Sequence, residues 1–134
     1  MTMRNAKLAR SAVLGLILAP LAAIADGYVI AHSSVNVAPG DVREIYVGNM
    51  QFAGSVKLVP VDNGAVQGDF LSKVIKTDPD RYATIWAKKG FRDGLNPPPV
   101  KSGDAEVMDF VKRTPGAIGY VSTNPGGANI IVKY

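Results

Sequence analysis

The chain has 134 residues, no cysteine and a formal charge of +4. Disulfide staples, cysteine–zinc centres and cysteine nucleophiles are therefore excluded, and packing alone must hold the fold. The charge does not point to nucleic acid. Three of the 15 Lys and Arg are Arg4, Lys7 and Arg10, and no acid precedes Asp26, so 12 remain against 11 acids, where a nucleic-acid surface needs a dense basic face.

That N-terminus has the layout of a secretory leader. A basic start is followed by the apolar segment Ser11 to Leu21 and by small residues in Ala23-Ile24-Ala25, which predicts cleavage before Asp26. The apolar segment falls short of the roughly 20 residues a bilayer span needs, and no cysteine is present to carry a lipid anchor. The expectation is a leader over 1–25, one domain over 26–134, a periplasmic or secreted location, and no membrane span after cleavage.

In the remaining chain, Tyr28-Val-Ile-Ala31 predicts a short buried strand. His32-Ser-Ser-Val-Asn36 reads as a polar loop. Pro39-Gly-Asp41 opens a short helix with Val42, Ile45 and Tyr46 on one face and Gly48 as its stop. Val56 to Val61 predicts a second strand, with Pro60 marking an edge or an end. Asp62-Asn63-Gly64 reads as a turn before a helix from about Ala65 to Lys76, with Phe70, Leu71, Val74 and Ile75 inward.

Asp78 and Pro79 then supply an N-cap and a first helical residue. Tyr82, Ile85 and Trp86 share one face of that helix, and Gly90 is its predicted end. Asn96 to Pro99 can only be an extended loop. Ser102 is the expected cap of a further helix with Val107, Phe110 and Val111 inward, ended by Pro115-Gly116. Ala117 to Val121 and Asn129 to Lys133 are the last strands, joined by a turn at Asn124–Gly127. Strands alternating with helices imply an α/β layered domain with a mixed sheet of about four or five strands flanked by helices. Gly119, inside a strand, marks a close approach, most simply of a packing helix.

Taken together, several stretches resemble one family. "PGAIGYV" after "VMDFVKRT" is similar to a segment of the periplasmic phosphate-binding proteins of ABC transporters. "DVREIYVGNM" resembles their short helix. "VKLVPVDN" followed by "GDFLSKVI" resembles the strand and helix flanking their second phosphate loop. "YATIWAKKGF", the prolines and "SGDAEVMDFV" follow in the same order. The match runs from about Asp41 to Val121. "YVIAHSS" is similar to the start of small exported members of that group. The resemblance implies a single lobe of a type 2 periplasmic-binding-protein-like fold and a non-enzymatic role in binding phosphate or another small oxyanion, linked to ABC-type phosphate uptake. A second reading stays open beside it: a periplasmic protein–protein interaction module that keeps the fold without the ligand site. The expected partners are a small anion and an ABC permease or another periplasmic protein. Nucleic acid is not expected, and a homo-oligomer is left open.

The phosphate loop departs from the family. The family reads Arg-x-Asp-Gly-Ser-Gly-Thr there. Aligned on Phe70, this chain reads Asp62-Asn-Gly-Ala-Val-Gln-Gly68. Asp62 falls on the arginine, and Val66 and Gly68 fall on the hydroxyl residues. A dianion needs hydroxyls, backbone N–H groups and a bidentate arginine, so the family's site is not carried over. What remains for an anion is the start of the following helix at Asn63, Gly64 and Ala65, together with Ser33, Ser34 and Asn36 after the first strand and Ser122 and Thr123 after the third. In a doubly wound sheet these loops would be neighbours at the carboxyl ends of the strands. His32, the only histidine, has no evident acid partner, so no catalytic residue is expected. The acids lack convergent spacing, so neither a metal nor a cofactor is expected. Trp86, Phe91 and Pro97–Pro99 could alternatively form an exposed contact patch.

Overall fold

The structure, a computed structural model, describes residues 27–134; the expected leader over 1–25 lies outside the described residues. In chain order the elements are β1 (Tyr28–Ala31), α1 (Asp41–Tyr46), the hairpin β2 (Phe52–Ala53) and β3 (Val56–Lys57), β4 (Val59–Pro60), β5 (Asp62–Asn63), α2 (Gln67–Phe70) running into a π-helical turn (Leu71–Ile75), α3 (Pro79–Asp93), β6 (Val100–Lys101), α4 (Asp104–Arg113), β7 (Ala117–Val121) and β8 (Asn129–Lys133). The main sheet has the order β4-β7-β1-β8. β4 is parallel to β7, while β1 is antiparallel to both β7 and β8. The expected mixed α/β architecture is present.

One segment, Val59 to Gly64, serves two sheets. Val59 and Val61 donate to the Gly116 and Ile118 carbonyls of the β7 side. Asp62 and Gly64 donate the other way, to the Pro99 and Lys101 carbonyls. β5 thus pairs in parallel with β6 while continuing the line of β4. Pro60, which has no N–H, occupies the level where β4 is the sheet edge and no donor is needed. Between the two halves, the Val61 carbonyl accepts the Tyr46 hydroxyl at 2.8 Å, and the strand is interrupted there.

The sheet has two differently built faces. α1, α2 and α3 cover one with a large cluster around Tyr46, Phe70, Tyr120 and Trp86. Phe70 stacks on Tyr120 with centroids 3.7 Å apart, and Tyr46 meets Phe70 edge-on at 4.9 Å. α4 covers the other face with Val107 and Val111 on Ile30, Val61, Ala117 and Val121. Gly119 lets α4 sit close: a Cβ there would lie 2.6 Å from Val107 Cγ1 and 3.3 Å from Val111 Cγ2.

Some expectations need correction. Val56 to Val61 is not one strand: Val56–Lys57 pairs with β2 across the turn at Gly54, φ 62°, while Val59–Pro60 pairs with β7. Asp62-Asn63 is not a turn but a buried strand, because its polar side chains find partners inside. The helix from Ala65 to Lys76 starts later, changes to π geometry and ends on a left-handed Lys76. α3 passes Gly90 and ends at Gly94, whose φ of 70° is the actual stop. Ser102 does not cap α4. Gly103 holds that position, and Ser102 donates its N–H and hydroxyl to Glu106. Asp78 caps α3 as expected, accepting the Arg81 N–H at 2.8 Å.

Candidate functional site

The antiparallel run of β1 separates the predicted site residues into two groups. β1 enters where β7 leaves, with Tyr28 opposite Val121 and Ala31 opposite Ile118. The loop after β1 therefore meets the beginning of β7. Ser34 Oγ accepts the Gly116 N–H at 3.0 Å, Ser33 lines a cavity of about 820 Å³ between β1, α4 and the 125–129 turn, and Asn36 is exposed on the same side. Ser33, Ser34 and Asn36 are thus at the opposite end of the sheet from Asn63, Gly64, Ala65, Ser122 and Thr123. The neighbourhood expected from a doubly wound sheet does not form, since it required β1 to run parallel to β7.

The second group does converge, and its focus is Asp104, the first residue of α4. Oδ2 of Asp104 accepts the Ser122 N–H at 3.1 Å, the Ser122 hydroxyl at 2.8 Å, the Thr123 N–H at 3.0 Å and the Thr123 hydroxyl at 3.0 Å. Oδ1 accepts Asn63 Nδ2 at 2.8 Å and shares the Ser122 N–H at 3.1 Å. Asn63 is fully buried and oriented from both ends. Its amide also donates to the Tyr120 carbonyl, and its oxygen accepts the Ala65 N–H. Burial pushes the Asp104 carboxyl up, but the hydrogen bonds from Ser122, Asn63 and Thr123 outweigh it and leave the group below the ordinary aspartate range. Hydroxyls, adjacent backbone N–H groups and an amide form a cradle suited to an oxyanion, and the protein's own carboxylate lies in it. Gly64 donates to β6 and is committed to the sheet.

A few residues away lies a second carboxylate that sequence reasoning had placed in a turn. Asp62 is 1% exposed. Its Oδ1 accepts the Tyr120 hydroxyl at 2.7 Å and its Oδ2 the Tyr82 hydroxyl at 2.9 Å, and Gln67 adds a third hydrogen bond. No ion pair reaches it among the described residues. Burial raises its carboxyl above the ordinary value, against the pull of Tyr120, Tyr82 and Gln67, and burial next to Asp62 pushes both tyrosines up as well. Asp62 is an internal anchor that ties α3 and β7 to β5.

The remaining candidates resolve simply. His32 Nδ1 lies 2.8 Å from Ser34 Oγ and accepts the Ser34 N–H at 3.0 Å. Sequence adjacency did bring this pair together, yet no carboxylate hydrogen-bonds or pairs with His32 among the described residues, and Ser34 bridges the loop to β7. Trp86 is buried and donates to the Tyr46 carbonyl at 3.0 Å. Pro98 is buried too, so these two do not form the exposed patch. Phe91 stays outside, at 96% exposure, and Pro97 and Pro99 are exposed on either side of Pro98.

No helix among the described residues is long and apolar enough to cross a membrane. Compared with known proteins, the chain matches no protein-family model and no curated protein.

Proposed function

We propose that the protein is an exported, non-enzymatic module with the scaffold of one phosphate-receptor lobe of type 2, in which Asp104 has taken the oxyanion's place. It acts by contact with other components of the periplasm and not by enclosing a solute. The observation that carries this reading is the Asp104 carboxylate, which accepts from Ser122, Thr123 and Asn63 at 2.8–3.1 Å. Those donors are the kind a bound phosphate would use, and an external anion would have to displace a carboxylate tethered to the backbone.

A second reading is supported by the same donors. If α4 can withdraw Asp104, the cradle takes phosphate or another oxyanion and the protein is a small receptor linked to uptake. Calorimetric titration with phosphate and then sulfate separates the two. The expected result is no heat from the wild type at millimolar phosphate, and measurable phosphate binding by a folded Asp104→Ala variant. Micromolar binding by the wild type would overturn the first reading in favour of the second. Silence from both proteins would show that the cradle is a structural tether and sink the oxyanion reading.

A further inference from the structure

We infer that the outer face of α3 is a docking surface for an anionic phospholipid bilayer. Two open grooves adjoin along this helix and share Thr84. One, of about 470 Å³, is lined by Arg43, Lys76 and Arg81, with Asp80 as its single acid. The other, of about 480 Å³, is lined by Lys88, Phe91 and Arg92. Five cations thus line one face with Asp80 as the one lining acid, and three more acids stand beside them. Arg43, Arg81 and Arg92 have carboxylate neighbours at 3.6–3.7 Å in Glu44, Asp78 and Asp93, exposed pairs at half or more side-chain exposure on the arginine side that are weakly held, and Arg43 also donates its Nε–H to the Ile75 carbonyl at 3.0 Å. Lys76 and Lys88 make no ion pair among the described residues.

Lys76 gives an independent sign. Among the described residues, every other position with a clearly positive φ is a glycine: Gly48, Gly54, Gly94, Gly116 and Gly126. Lys76 alone adopts φ 63° with a side chain attached. It follows the π-helical turn Leu71–Ile75, and both features are enriched at functional sites. A glycine would serve the backbone better there, so the lysine side chain is kept at a cost in strain.

The occupant follows from the shape and the chemistry. From Arg81 to Arg92 the cations extend about 16 Å along the helix, as a row along wide, open grooves and not around a closed socket. The apolar content is essentially Phe91, which projects outward. A protein interface needs a fully buried apolar core, which one outward-projecting aromatic does not supply. A headgroup plane needs only distributed cations and an apolar side chain to insert at the acyl boundary.

The test is vesicle co-sedimentation of protein purified after export, its N-terminus determined, with wild type and variants sharing that terminus. Binding is expected to vesicles of phosphatidylglycerol and phosphatidylcholine in equal parts at low salt, to be lost on phosphatidylcholine alone, and to fall at high salt. Lys88→Gln should weaken it about fivefold, and Phe91→Ser about tenfold. Lys76→Gly should weaken it about fivefold while raising the melting temperature, a pair of opposite signs that a purely structural lysine would not give. Absence of sedimentation with the anionic vesicles, or variants that bind like the wild type, would overturn the proposal. So would displacement by inorganic phosphate beyond that of chloride at equal ionic strength, which would mark a small-anion site instead.

Discussion

The two faces of the sheet are held by different physics. On the face under α1, α2 and α3, large aromatic rings bring polar tips into the core, and each tip has a partner. Tyr82 and Tyr120 donate to Asp62, Tyr46 donates to strand carbonyls, and Trp86 donates to Tyr46. On the face under α4 the core is aliphatic, and closeness replaces hydrogen bonding through the missing side chain at Gly119. The first face is therefore specified by direction and the second by volume. Substitutions should fail differently on the two, by orphaned donors on one and by steric overlap on the other.

The sharpest break of that contrast is Asp62→Ala. It strands two buried hydroxyls, and each unsatisfied donor costs about 1–3 kcal/mol, so a loss of roughly 2–6 kcal/mol is expected in urea unfolding. Removing the donors as well, in Asp62→Leu with Tyr82→Phe and Tyr120→Phe, should recover part of it. A triple variant less stable than Asp62→Ala would show that packing, not hydrogen bonding, dominates this face. On the other face, Gly119→Ala should cost about 1–3 kcal/mol by overpacking against Val107 and Val111, and Val107→Ala should relieve it in the double variant. Additive effects of the two changes would contradict the close-approach account.

The parts legible in the sequence were those whose signals are local. β1, β7 and β8 are apolar runs between polar loops, and α3 starts where Asp78 and Pro79 say it should. Gly119 was readable as a close contact for the same reason. The direction of a strand has no local signal. Tyr28-Val-Ile-Ala31 reads the same whether it runs with β7 or against it, and that one choice moved Ser33, Ser34 and Asn36 to the far end of the sheet. β5 was hidden because Asp62-Asn63-Gly64 has the composition of a turn. Its partners Tyr82 and Tyr120 are 20 and 58 residues away. A weak clue existed: two inward tyrosines need an acceptor for their hydroxyls. Asp104 has no local signal either: a carboxylate at the start of α4 suits the helix dipole, and its partners Ser122 and Thr123 lie 18 and 19 residues away.

The smallest expected effect lies in the pH dependence, where the two neighbouring carboxylates should oppose each other. Asp104 is held below its ordinary value of 3.8. Its tether contributes stability above that value and loses it as pH falls through the lower folded pKa. Asp62 is held above 3.8. The native state favours its protonated form, so its contribution is fully present below 3.8 and is lost as pH rises toward the raised folded pKa. Melting temperatures across this acidic range, for wild type, Asp104→Asn and Asp62→Asn, separate the two. Relative to wild type, Asp104→Asn should do progressively better as the solution is acidified below about pH 4, because it has no charge to lose. Asp62→Asn should do progressively better as pH rises above that point, because it never has to ionise in the core. Both variants shifting in the same direction would mean that one carboxylate has been given the wrong environment. The partly exposed Asp104 is the more exposed to screening, so added salt should shrink its effect first.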